Sequence, residues 1–180
     1  GEYELKYQPA SGHILGPVSI LVRLGYDLDS PEVKNLIDYY KDTEILDRML
    51  KIITGECNIS LRIVDWFSTN YAKKYFTLYP IFDDEGNIIK RFKVYVDYKL
   101  KLKAYSKKKF DPFCRWERIS IPYKEEGKFI ETTLGQLNFF KWALENKVID
   151  YLENNDNYAA IERDMNNRSE EHTSELQSRE

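Results

Sequence analysis

From Arg91 to Tyr105 the chain reads RFKVYVDYKLKLKAY, and its residues alternate in character without a break. Phe92, Val94, Val96, Tyr98, Leu100, Leu102 and Ala104 share one parity; Arg91, Lys93, Tyr95, Asp97, Lys99, Lys101, Lys103 and Tyr105 share the other. Period two is the signature of a strand whose faces meet different surroundings. The segment therefore predicts the second arm of a hairpin over 75–105. Its first arm, 75–82, is mostly aromatic or β-branched, and DDEGN at 83–87 supplies the turn. One face would be core and the other basic.

The rest of the chain sets that hairpin among helices. Ser30 and Pro31 open a helix over 30–41, and a second begins at Thr43 or Asp47 and ends at Gly55. Asn58 or Ser60 caps a third, SLRIVDWFSTNYAKK, burying Leu61, Val64, Phe67 and Tyr71. After the loop KKKFDPFCRW, a strand is expected at 115–123 with Ile119, Ile121 and Tyr123 inward, and a short one near 129–132. Thr133 and Gln136 match a capping box ahead of Leu137, Phe140, Leu144, Val148, Tyr151 and Leu152, and a last helix covers about 158–165. Helices, then antiparallel strands, then helices predict an α+β fold: a small antiparallel sheet with helices on one face, as a single domain over 1–167. Trp66, Phe67, Phe92, Val94, Val96, Tyr98, Phe140 and Trp142 are expected in its core.

Of the 180 residues, 42% are apolar and 14% aromatic, enough to build a packed core and too many for wholesale disorder. A mean hydropathy of −0.59 and short apolar runs point to a soluble chain with no membrane span. Gly1 is no initiator Met, so the N-terminus reads as truncated. RSEEHTSELQS at 168–178 resembles a translated sequencing adapter, and 168–180 is read as a non-native or disordered tail. Cys57 and Cys114 have neither partners for a disulfide framework nor zinc-ligand spacing, which fits a reducing compartment.

A net charge of −3 conceals an asymmetry: residues 90–118 hold eleven Lys/Arg against three Asp/Glu. Basic islands of this kind mark anionic partners. Cations two residues apart on a strand approximate the spacing of phosphates, and interleaved tyrosines offer stacking surfaces. The candidate nucleic-acid-binding residues are Arg91, Lys93, Tyr95, Lys99, Lys101, Lys103, Tyr105, Lys107, Lys108, Lys109 and Arg115, with Lys73 and Lys74 able to widen the patch. The competing reading is a solvated edge strand whose lysines block aggregation. A helix-turn-helix over 43–74, presenting Arg62, Ser68, Thr69 and Lys73, is a weaker match.

Catalytic readings have less support. Asp97-Tyr98-Lys99 resembles the acid-x-Lys element of metal-dependent nucleases, but Asp83 and Asp84 would lie some 35 Å along the strand, leaving Asp65 to reach from another element. Cys114 beside Arg115 lacks a histidine base unless His13 approaches it. No glycine-rich phosphate cradle occurs, and no metal or cofactor is expected.

SLRIVDWFSTNYAKKY, FKVYVDYKLKLKAYSKKKFDPFCRW and TTLGQLNFFKWALENKVIDYL resemble a family of proteins from giant, nucleocytoplasmic large DNA viruses, over about 44–166. The family has no assigned activity, so the resemblance implies a viral origin and residence in the host cytoplasm or virion, and no site residue. The expectation is a non-enzymatic viral nucleic-acid-binding module. The alternative is a virion or scaffold protein that binds other viral proteins, with a nuclease behind both.

Overall fold

The computed structural model describes residues 29–115, 118–122 and 129–178. The class is α+β: helices predominate, and the strands form antiparallel pairs.

The early helices follow their sequence signals. α1 (Pro31–Tyr40) begins at its proline, and α2 (Thr43–Thr54) starts where Asp42 accepts from Glu44 N at 3.0 Å. It ends at Gly55, whose φ of 77° is the left-handed cap that glycine adopts without cost. Ser60 Oγ accepts from Ile63 N at 3.2 Å and starts α3 (Leu61–Trp66).

The chain then departs from a regular helix. Phe67–Tyr71 is a π-helical turn, closed by Ala72 N donating to Phe67 O, before α4 (Ala72–Tyr75). Ser68 Oγ donates to Val64 O and Thr69 Oγ1 to Asp65 O, each at 2.8 Å. Hydroxyls bonding back to i−4 carbonyls bend helices, and two in succession stand where the ladder widens. Phe76 ends the helix at φ 51°, unusual for a bulky side chain, and is 84% exposed.

β1 (Leu78–Phe82) pairs with β2 (Ile88–Lys93), Leu78 opposite Lys93 and Ile81 opposite Lys90. Asp83 Oδ1 accepts from Glu85 N and Asn87 N and holds the turn. The expected hairpin over 75–105 is thus shorter at both ends, and its basic arm is corrected: Val94–Tyr105 is a helix, α5. Val94 and Tyr98 are buried while Leu102 and Tyr105 are half-buried, spacings of four, four and three that make one helical stripe. A strand over 88–105 would have run about 60 Å, far beyond the usual strand of 3–10 residues. Val96, expected in the core, lies off the stripe and is 53% exposed.

After α6 (Lys107–Phe110), β3 (Arg118–Pro122) pairs with β4 (Phe129–Thr133), giving two separate two-stranded sheets where one was expected. Tyr123 and the side chains of Ile119 and Ile121 lie outside what is described. Thr133 Oγ1 accepts from Gln136 N at 3.1 Å and starts α7 (Leu134–Glu145). The other half of the capping box is diverted, since the Gln136 amide donates to Pro112 O and accepts from Thr132. Lys147, at φ 62°, separates α7 from α8 (Val148–Glu153), and α9 runs over Asn155–Ser178, longer than the 158–165 expected.

The described residues form two compact units. One joins those up to Glu56 with Tyr105–Lys141. In it the Tyr40 hydroxyl donates to Leu137 O, and Phe110, Phe139 and Phe140 meet edge to face in the core. The other joins Cys57–Ala104 with the chain from Trp142, around a run of rings: Tyr75, Tyr71, Phe67, Tyr151, Tyr79, Phe92, Trp142 and Tyr98, each 4.6 to 6.2 Å from the next. Such pairs add to the stability that area burial provides, and the run ties α4 to the hairpin and α5. Six of the eight expected core residues are buried; Trp66 is half-buried and Val96 exposed. No helix among the described residues is long and apolar enough to cross a membrane.

Candidate nucleic-acid interface

A helix turns about 100° per residue, so cations that line up on a strand disperse on α5. Tyr95, Lys99 and Lys103, four apart, keep to one flank, while Lys101 sits about 160° around from Lys99. Arg91 and Lys93 remain on β2, exposed and opposite Pro80 and Leu78. These six residues belong to the second unit. Tyr105, Lys107, Lys108, Lys109 and Arg115 belong to the first, where Tyr105 stacks on Phe110 at 5.8 Å and Lys109 O accepts from Asn138 Nδ2. The single basic row becomes two groups.

In the second unit, Tyr95 gathers charge. Lys73 Nζ lies 5.6 Å and Lys99 Nζ 5.5 Å from its ring centre, both within cation–π range. Tyr95 is half-buried and both lysines are exposed. Lys73 is also part of the wall of an open concavity of about 680 Å³, with Trp66, Asn70, Tyr71, Lys74 and Tyr75 on one side and Ala160, Arg163, Asp164, Asn167 and Arg168 from α9 on the other. The π-helical turn places Trp66, Asn70, Tyr71 and Tyr75 along that wall, and π-turns recur at functional sites.

Asp164 is fully engaged: Oδ1 accepts from Lys74 Nζ at 3.0 Å and Oδ2 from Trp66 Nε1 at 3.1 Å. The bond to Asp164 raises the Lys74 ammonium above its ordinary pKa, keeping it charged. Burial, then neighbouring Tyr151, Tyr75 and Asp164, pushes the Tyr71 phenol up and keeps it neutral. The lining is four cations against one carboxylate already paired, an anion-attracting surface backed by aromatic rings.

The other sequence candidates have structural roles or lie elsewhere. Asp97 accepts from Trp142 Nε1, and Asp83 holds the hairpin turn. Ser68 is buried and its hydroxyl bonds to backbone, and the half-buried Thr69 also turns its hydroxyl to backbone, so neither presents a free hydroxyl as a recognition-helix side chain would. Cys57 and Cys114 are free thiols, and His13 lies outside the described residues. Among the described residues no three His, Cys, Asp or Glu side chains converge on a metal position.

Sequence reasoning passed over Trp66, Asn70, Tyr71, Tyr75, Arg163 and Asn167. Trp66, Asn70, Tyr71 and Tyr75 are spaced four and five apart and Arg163 and Asn167 four apart, but only the π-turn makes the first set one wall of the concavity.

An uncharacterised protein, L507, of Acanthamoeba polyphaga mimivirus is 44% identical over 124 residues, 67% of this chain and 47% of that protein. The chain thus spans about half the length of that curated relative. No solved structure matches this chain. A model described as a family of unknown function, DUF7197, matches residues 29–179, and the chain belongs to that family.

Proposed function

We propose that the chain is a non-enzymatic nucleic-acid-binding module of a giant virus, acting in the host cytoplasm or the virion. The observation that carries this reading is the pair of ammonium groups, Lys73 and Lys99, held over the Tyr95 ring beside the basic concavity. Tyr95 fixes the two charges instead of stacking on a base. Lys103 follows one turn on, and no ion pair to a described carboxylate engages Lys99 or Lys103. Cations that are preplaced and unpaired bind phosphates by releasing condensed counterions. Arg91, Lys93 and Lys101 extend the field from other directions; Tyr105, Lys107, Lys108, Lys109 and Arg115 would act from the first unit. Titrating the protein into a fluorescent oligonucleotide at several salt concentrations tests the reading: saturable, salt-sensitive binding supports it, and no binding at low salt defeats it.

One observation favours the scaffold reading. Phe76 just before the hairpin, and Leu78, Phe82, Ile88 and Ile89 on its two strands, are exposed, and exposed apolar surface of this kind serves protein contacts. A chain with Ile88→Lys and Ile89→Lys that keeps oligonucleotide binding but loses self-association or capture of a viral protein would support it.

A further inference from the structure

We infer that the concavity at the π-helical turn is a subsite for an unpaired base and its phosphate, so that the ligand is single-stranded nucleic acid. The inference rests on the nucleic-acid reading above and goes further, because a row of cations alone cannot tell a strand from a duplex. The concavity supplies what a strand needs and a duplex cannot use. Tyr75 is 53% exposed, and its ring lies 4.6 Å from that of Tyr71, with Lys74 Nζ 5.1 Å from its centre. An exposed ring beside a second ring offers apolar surface to a flat base, whose π-face every nucleotide presents. Opposite it, Arg163 is exposed and pairs with no described carboxylate, a fork suited to a phosphate. Asn70 and Asn167 add amide donors and acceptors at the rim.

The one carboxylate does not repel the ligand, since Lys74 and Trp66 take both its oxygens. Arg168 also reaches the rim but belongs to the segment that resembles a translated adapter, and the charge of the subsite is positive without it. A volume of about 680 Å³ lies within the range of small-ligand sites, and Lys73, part of its wall, also lies over the Tyr95 ring that Lys99 shares. Bases paired inside a duplex cannot reach the Tyr75 ring.

The test compares a labelled oligo-dT strand with a duplex of the same length, reading anisotropy and Trp66 fluorescence, with Trp66→Phe assigning the signal. The parent should prefer the strand, and the strand should quench Trp66. Tyr75→Ala, an exposed position, should weaken strand binding about 5- to 150-fold, the range of base–aromatic stacking, and leave duplex binding unchanged. Arg163→Gln should weaken strand binding too and flatten its salt dependence. Equal affinity for strand and duplex, with Trp66 silent and Tyr75→Ala without effect, would overturn the subsite while leaving the basic surface standing. Absence of binding to either nucleic acid at low salt would overturn both.

Discussion

Trp142 Nε1 donates to Asp97 Oδ2 at 2.6 Å, so the one acid of the alternating segment fastens α5 to the start of the C-terminal chain. This gives Asp97 a structural task. A double-mutant cycle of Asp97→Ala and Trp142→Phe, followed by urea unfolding, should return a coupling of about 1 to 2 kcal/mol. That straddles the lower limit, about 1.5 kcal/mol, of the range for a hydrogen bond to a charged group, because Asp97 is half-exposed. Additive single effects would contradict it.

Gly135 is required by close approach. A Cβ there would stand 2.6 Å from Asp111 O, and backbone cannot swing away as a flexible side chain does. Gly135→Ala should destabilise the protein by about 1 to 3 kcal/mol despite alanine's better helix propensity. An unchanged melting temperature would show that the loop at Asp111 yields freely.

Tyr79 makes stability fall in alkali. Burial, with Asp150, Tyr151 and Asp97 nearby, pushes its phenol far above the ordinary tyrosine value, and its hydroxyl donates to Asn146 O. The folded state keeps this proton where the unfolded chain loses it, so the contribution is complete below about pH 10 and is lost as pH rises beyond. The loss should approach about 1.4 kcal/mol per pH unit from this one group. Tyr79→Phe should be less stable at neutral pH and show a shallower decline above pH 10, measured by urea unfolding at successive pH values. An identical decline in both proteins would contradict the assignment.

The capping and turn signals were legible because each is local: Gly55, Ser60, the Asp83 to Asn87 turn and Thr133 all act within a few residues of themselves. The alternating segment misled because two periods fit it at once. Its even parity includes Val94, Tyr98 and Leu102, which also lie four apart, and its lysines and leucines are good helix formers. Length was the deciding clue, since a strand to Tyr105 would have outrun any nearby partner. The concavity was illegible for another reason. It depends on a π-turn that no residue pattern announces and on Lys73 reaching Tyr95, some twenty positions away in sequence.

That π-turn can be removed. Deleting Asn70, which is exposed, should restore a regular ladder and rotate Lys73, Lys74 and Tyr75 by about 100° against Trp66. Circular dichroism should keep its helical content while the Trp66 response to an oligonucleotide strand disappears. A deletion protein that folds and still reports binding through Trp66 would show that the turn does not shape the site.

The nucleic-acid reading requires that Lys73, Lys99 and Lys103 meet phosphates. Its most direct measurement is the dependence of single-strand affinity on salt, with each neutralised phosphate contributing a log–log slope near −0.7. The triple change Lys73→Gln, Lys99→Gln, Lys103→Gln should flatten the parent slope by about 2 and weaken all sequences alike, whereas Lys101→Gln, on the other side of α5, should shift it by less than one contact. A triple variant whose slope and affinity match the parent would show that these lysines meet no phosphate.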